Sequence, residues 1–299
     1  MMRNNCWLVY ERIQAERNNA YIEKYRQSAE RHNMSLELIL TDELQTGFKD
    51  GKPWLWYRGN DCVLPQFVIN RSGQPFLSRH LEAMSLPVYN SAYVSEICLD
   101  KRKSYHLAAK ASLPVMPTRF YSGSLPDWDT VQSDFGGRQL VVKPADGRSG
   151  KDVMLVSTRA DYDQAIAVFN TGQNVIIQQA ASDLGLDLRV YVIGRHIEAA
   201  MLRKSDPARD FRSNYSLGGE AAVYNLSHHE KSMIMRLADQ LDFGLVGIDF
   251  IFDQGKPVFN EIEDAVGARM LYALTDIDIG DCYLEYIIRH VERQWLPGS

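Results

Sequence analysis

Asp249, Glu261 and Glu263 are the residues of this chain with the clearest capacity for chemistry. They lie in the run G-L-V-G-I-D-F-I-F-D-Q-G-K-P-V-F-N-E-I-E-D over 244–264. Residues 245–252 and 257–263 are rich in Val, Ile and Phe, and Asp253-Gln254-Gly255-Lys256 supplies a turn, so the run reads as a β-hairpin. A three-residue loop over 254–256 sets Asp253 opposite Pro257 and therefore Asp249 opposite Glu261. Side chains alternate along a strand, which places all three acids on one face. Three crowded carboxylates repel one another and call for a compensating cation, and oxygen donors at this spacing suit Mg²⁺ better than zinc. The alternative is a wet strand face or a set of structural salt bridges. Mg²⁺ rarely takes an all-protein cage, so a phosphate site is expected upstream.

Leu140-Val141-Val142-Lys143-Pro144 ends an apolar strand on a lysine, and a loop containing Gly147, Ser149 and Gly150 follows. Two strands joined by such a loop can fold over a triphosphate and offer it backbone N–H groups. The loop does not match G-x-x-x-x-G-K-[ST], so it is not a P-loop. Read alone, a lysine beside a glycine turn is more often a solvated surface feature than a ligand. Lys101 opens a helix inside Asp100-Lys101-Arg102-Lys103, an unfavourable place for cations unless something negative compensates. Ile176-Ile177-Gln178-Gln179 ends a strand that can offer main-chain groups to an adenine edge, or can simply leave the core. Arg189, Arg203, Arg212 and Asn214 fall between that strand and the acidic hairpin. The planar fork of arginine suits a transferring phosphoryl group or a carboxylate, and an ordinary surface hairpin is the alternative.

The elements that must position these residues alternate. Residues 6–10, 36–40, 67–69 and 87–89 read as strands, with helices over 16–32 and 75–85, which implies a small parallel sheet flanked by helices. Ligands of such sheets bind beyond the C-terminal strand ends, where Arg71 and Ser72 fall. A helix over 100–112 with Asp100 as N-cap opens a second region. Its strands cover 119–121, 139–143, 152–156 and 175–179, with a loop over 122–137 and a helix over 160–169. A hairpin over 188–204, a loop over 205–219 and a helix over 228–242 lead to the acidic hairpin, and an amphipathic helix over 281–293 closes the chain. The chain has 299 residues, 45% hydrophobic and 24% charged, enough for two or three small domains. A net charge of −5 argues against general nucleic-acid binding. Cys6, Cys62, Cys98 and Cys282 lack metal-type spacing and read as reduced thiols of a cytoplasmic protein. No signal-peptide pattern and no membrane span is expected.

In this order the pieces resemble the ATP-grasp superfamily, most closely its RimK-like carboxylate–amine ligases. The combination D-F-R-S-N with a following G-G pair, V-G-I-D-F and N-E-I-E carries the resemblance, which covers nearly the whole chain. It implies an α/β protein of the ATP-grasp fold with three domains: a small Rossmann-like N-terminal domain over 1–98, a central lobe over 99–179 and a C-terminal lobe over 180–299. It implies ATP and Mg²⁺, with Mn²⁺ as a substitute, and an acyl phosphate that an amine converts to an amide. Lys101 and Lys143 match the phosphate lysines, 147–150 the glycine-rich lid, Gln178, Gln179 and Ala180 the adenine hinge, and Asp187 the ribose contact. Arg212, Ser213 and Asn214 match the loop that meets the triphosphate, with Arg212, Asn214 and Arg203 as catalytic groups. Asp249, Glu261 and Glu263 match the metal positions. Arg71, Ser72 and Arg269 are candidates for holding substrate carboxylates. Partners are then ATP and small-molecule or peptide substrates, without nucleic acid or membrane, in a possible homo-oligomer. Glu263 replaces the usual Asn, 264–269 replaces the usual Pro-Gly, and Gln179 stands where an acid is common, so substrate identity does not carry over. An ATP-grasp kinase and a non-catalytic nucleotide-binding protein are the alternatives.

Overall fold

A computed structural model of the chain describes residues 4–146, 152–169, 172–206 and 220–295. The first sheet is parallel, as the alternating pattern predicts. β1 (Asn5–Tyr10) leads through α1 (Arg12–Arg17) and α2 (Asn19–Arg31) to β2 (Ser35–Leu40). One helix is expected over 16–32. The chain instead breaks at Asn18, which leaves helical geometry and donates its side-chain amide to the Gln14 carbonyl at 2.7 Å. An excursion then forms an antiparallel sheet of β3 (Leu44–Lys49), β4 (Lys52–Tyr57) and β5 (Asn60–Asp61), which the sequence reading left without elements. Its first turn, Asp50-Gly51, has positive φ at both residues, the hairpin geometry that matches strand twist. β6 (Phe67–Asn70), α3 (Pro75–Ala83) and β7 (Val88–Tyr89) complete the first sheet in the order β2-β1-β6-β7. β1 and β6 are buried along nearly their whole length, which is why they read as continuous apolar runs.

α4 (Ala92–Leu99) and α5 (Lys101–Lys110) follow, with Ser91 and Asp100 as side-chain N-caps. The second sheet is antiparallel, in the order β10-β9-β11-β8. It contains β8 (Thr118–Ser122), β9 (Leu140–Pro144), β10 (Met154–Val156) and β11 (Asn174–Gln179), with α6 (Trp128–Asp134) and α7 (Arg159–Phe169) between its strands. α6 occupies the expected loop and is capped by Asp127, which accepts from Thr130 N at 2.8 Å.

The third sheet has the order β14-β13-β12-β15-β16. It is built from β12 (Leu186–Ile193), β13 (His196–Lys204), β14 (Glu220–Val223), β15 (Leu245–Asp253) and β16 (Lys256–Glu263), with α8 (His228–Ala238) on one face. α9 (Arg269–Leu274) and α10 (Ile279–Trp295) return the chain to the first sheet. There Leu284, Ile287 and Val291 share a core with Leu8, Ile22 and Tyr25. That packing fixes the strand ends of the first sheet against the segment that follows β16. Among the described residues no helix is long and apolar enough to cross a membrane.

Candidate functional site

The acidic hairpin reaches the expected pairing by a different route. Its turn is the two-residue Gln254-Gly255, which sets Asp253 opposite Lys256 and Phe252 opposite Pro257. That register alone would misalign the acids. A one-residue bulge at Asn260 restores it, and Asp249 lies opposite Glu261. Glu263 lies opposite Gly247. A Cβ at Gly247 would stand 2.6 Å from Val266 Cγ2, so glycine is what lets the segment after β16 fold down on the sheet.

The charges on this hairpin are balanced from inside the protein. Asp249 is 2% exposed, and Arg189 donates to both its oxygens from Nε and Nη2, at 2.8 and 2.6 Å. Arg203 Nη2 adds a third bond at 2.9 Å. Arg189 also reaches Glu263 at 2.8 Å, and Lys101 Nζ lies 3.3 Å from Glu261. Burial pushes the Asp249 carboxyl up, but the two arginines outweigh it and hold it down at about 2. Arg203 also forks onto both oxygens of Asp187, whose carboxyl burial pushes upward against that pull. Arginine side chains thus separate the three acids that the hairpin brings to one face. Among the described residues no three carboxylate, imidazole or thiol groups gather closely enough to hold a metal, because arginines stand between them. Glu261 and Glu263 keep side chains 25% and 32% exposed, so their oxygens are the more open carboxylates of the hairpin.

Lys143 crosses from the second sheet to the third. It is 4% exposed, and its Nζ donates to Gln178 Oε1 at 3.2 Å and Asn260 Oδ1 at 3.0 Å, two neutral amides. Burial pulls its pKa down to about 8, with Glu261 resisting. Gln178 Nε2 in turn donates to Tyr105 Oη at 2.5 Å and Thr118 Oγ1 at 2.9 Å. Asn260, Tyr105 and Thr118 are members of this site that sequence reasoning did not single out. The bulge that turns Asn260 toward Lys143 has no local signature, although N-E-I-E was in view.

At the expected adenine hinge, the side chain of Gln178 faces inward. The N–H groups of Gln179 and Ala180 donate to the Pro117 and Gln139 carbonyls at 2.9 and 2.8 Å. Those two donors are committed within the protein. Arg203, expected at the transferred phosphoryl group, is held between Asp187 and Asp249. Ser72, expected at substrate, is folded into its own turn, where its N–H and Oγ both donate to Asn70 Oδ1 at 3.0 and 2.7 Å. Arg71 is buried against the segment after β16, and Arg269 is exposed at the first residue of α9. Gly147, Ser149, Gly150, Arg212, Ser213 and Asn214 lie outside the described residues.

Comparison with known proteins adds four findings. The model of the RimK-like ATP-grasp domain matches residues 98–287. A probable alpha-L-glutamate ligase of Legionella pneumophila is 29% identical over 248 residues, covering 79% of this chain and 80% of that protein. One from Shewanella pealeana is also 29% identical, over 247 residues, and there the chain spans 53% of the relative's length. In fold, the structure of the ATP-grasp ligase PsnB complexed with minimal precursor matches with a TM-score of 0.72, covering 96% of this chain and 99% of that one at 16% identity.

Proposed function

We propose, because the chain belongs to the RimK-like ATP-grasp family and is an ATP-dependent carboxylate–amine ligase, that the cleft between its second and third sheets joins a substrate carboxylate to an amine through an acyl phosphate. In this reading 1–98, 99–179 and 180–299 are its three domains. One observation carries the reading. Lys143 is a buried ammonium whose hydrogen-bond partners are neutral amides, beside a partly exposed carboxylate pair, and this is a cation placed to meet phosphate. Lys101 supports it from the start of α5, with its charge now set against Glu261. Arg212, Ser213 and Asn214 are assigned to the triphosphate from their motif.

Glu261 and Glu263, with Asp249 adjoining, would hold Mg²⁺ or Mn²⁺, which when bound supplies charge neutralisation for the phosphates. The chain's own residues do the positioning. Arg189 fixes Asp249 and Glu263 in register, and Arg203 fixes Asp187 and Asp249. We assign Arg203 its catalytic contribution through those carboxylates. Asp187, near the start of β12, is assigned to the ribose, and the strand end over 178–180 to the adenine edge. A carboxylate oxygen attacks the γ-phosphorus and ADP leaves. The amine then attacks the acyl carbon, and the C–O bond to phosphate breaks. The departing phosphate takes the amine proton.

The relatives' names make L-glutamate the first amine or acid to try. The test follows label from a carboxylate made with ¹⁸O. Wild type given Mg-ATP and an amine transfers one ¹⁸O into inorganic phosphate as ADP forms, and Glu261→Gln abolishes ADP formation with the fold intact. ADP formation without label transfer, leaving a stable phosphorylated product, refutes the ligase step. Unchanged turnover in Glu261→Gln refutes the site.

A further inference from the structure

Asn260 and Glu261 are neighbours in sequence that meet two lysines in opposite ways. Glu261 forms an ion pair with Lys101 at 3.3 Å. Asn260 Oδ1 accepts from Lys143 Nζ at 3.0 Å, so this lysine receives an amide where the other receives a carboxylate. A regular strand sends adjacent side chains to opposite faces. Here Phe250 pairs with Phe259 and Asp249 with Glu261, and the bulge between them lets both Asn260 and Glu261 serve one cleft. The bulge is itself held. The N–H of Phe259 donates to the Pro114 carbonyl at 2.8 Å, and its buried ring meets Tyr105 edge-on, 5.7 Å between centres.

The same tyrosine fixes the other amide. Its hydroxyl accepts from Gln178 Nε2 at 2.5 Å, which leaves Gln178 Oε1 to accept from Lys143 Nζ at 3.2 Å. Lys143 is thus aimed by two amides carried on different sheets, Gln178 on β11 and Asn260 on β16. An ammonium has three N–H donors and no acceptor, so both amides must turn their oxygens to it. Two donors are used, and among the described residues the third meets no further hydrogen-bond acceptor. An amide oxygen orients an ammonium without cancelling its charge. A carboxylate at the same place would orient it and spend the charge as well. An apolar residue would do neither. The chemical identity of residue 260 therefore decides how much positive charge Lys143 can present to a ligand, beyond any part it plays in packing.

We propose that Asn260 is the positioning residue of Lys143: it aims the ammonium from the facing sheet and, being neutral, leaves the charge to the nucleotide's phosphates. This rests on the reading of Lys143 as a phosphate contact and adds the residue that sets it. The test is calorimetric titration of the full chain with Mg-AMPPNP, in wild type, Asn260→Asp, Asn260→Ala, Lys143→Met and the two double variants. At pH 7, Asn260→Asp weakens binding about 10- to 100-fold, the worth of a charge-assisted bond. Asn260→Ala weakens it several-fold. In the Lys143→Met background neither change has a further effect, because the group they act on is gone. The pH profile supplies a readout that packing does not move. Affinity in wild type falls with a midpoint at about 8, and in Asn260→Asp that midpoint moves up by about 1 to 3 pH units, as a carboxylate beside an ammonium requires. Urea unfolding is the fold control. Equal losses from Asn260→Asp with and without Lys143 overturn the assignment, as does a weakened Asn260→Asp whose midpoint stays where it is in wild type. Should Asn260→Asp fail to fold, an Asn260→Ala protein that binds Mg-AMPPNP as wild type does overturns it instead. The phosphate reading of the lysine fails separately, by unchanged affinity in Lys143→Met alone.

Discussion

Nucleotide affinity should fall as Lys143 loses its proton, and the structure sets both where and by how much. In the ligand-free protein burial holds the Lys143 pKa at about 8. If the triphosphate needs the ammonium form, the apparent Kd of an ATP analogue rises by about twofold at pH 8 and about tenfold at pH 9. The rise ends in a plateau, because neutral lysine forfeits only the charged contact. A charge-assisted bond is worth about 1.5–3 kcal/mol, so the plateau stands about 10- to 100-fold above the neutral-pH value. Calorimetry from pH 7 to 9.5 in two buffers of different ionisation enthalpy reads the affinity and the proton uptake together. Lys143→Arg should flatten the profile, since guanidinium does not titrate there. The linked stability effect has the opposite sign to that of a salt-bridged lysine. Folding lowers the pKa from 10.5, so the unfolded chain binds more protons between about 8 and 10.5, and the ligand-free protein gains stability as pH rises through that window. A pH-independent Kd in wild type, or the same slope in Lys143→Met, would falsify the role given to this residue.

Two stability predictions accompany it. Gly247→Ala places a methyl group 2.6 Å from Val266, and the overlap should cost about 1–3 kcal/mol in urea unfolding. Wild-type stability there would mean that the segment after β16 is not pinned to the sheet. Arg189→Met strips two of the three arginine bonds from buried Asp249 and should cost about 3–5 kcal/mol, relieved in part by a second change, Asp249→Asn. Additive losses in the double variant would show that the two side chains do not act as a pair.

The parts of the fold written as long periodic runs were legible in the sequence. β1, β6, β11, β12 and β15 are apolar because they are buried on both faces, and such runs stand out whatever surrounds them. The antiparallel excursion over 44–61 was not legible, because much of its surface stays partly exposed and it alternates only weakly. α6 and α4 were missed although Asp127 and Ser91 announce them, each being short enough to pass for loop. In the site, the residue types were legible and their partners were not. Asp249 opposite Glu261 was expected from a three-residue turn, and it arises from a two-residue turn plus a bulge, two departures that cancel. No local pattern could have separated those routes, yet they differ in consequence. The bulge is what brings Asn260 to Lys143.

Electrostatics explains why the acids look different in sequence and in structure. A carboxylate cluster read along a strand suggests a metal, because the sequence shows the negative charges together and disperses the positive ones. Folding reverses this. Arg189 lies 60 residues before Asp249 and Arg203 lies 46 before it, yet both meet it in the interior. A buried ion network of this kind is weak evidence for stability, since apolar replacements often do as well. Its physical merit is geometric. Arg189 spans Asp249 and Glu263, so the angle between the two strands at the cleft cannot change without breaking charged bonds in a low dielectric. Glu261 stands outside that lattice, and its ion pair is with Lys101, at 3.3 Å. The carboxylate least constrained by the interior is therefore the one that can turn to a ligand, on a frame the arginines keep still.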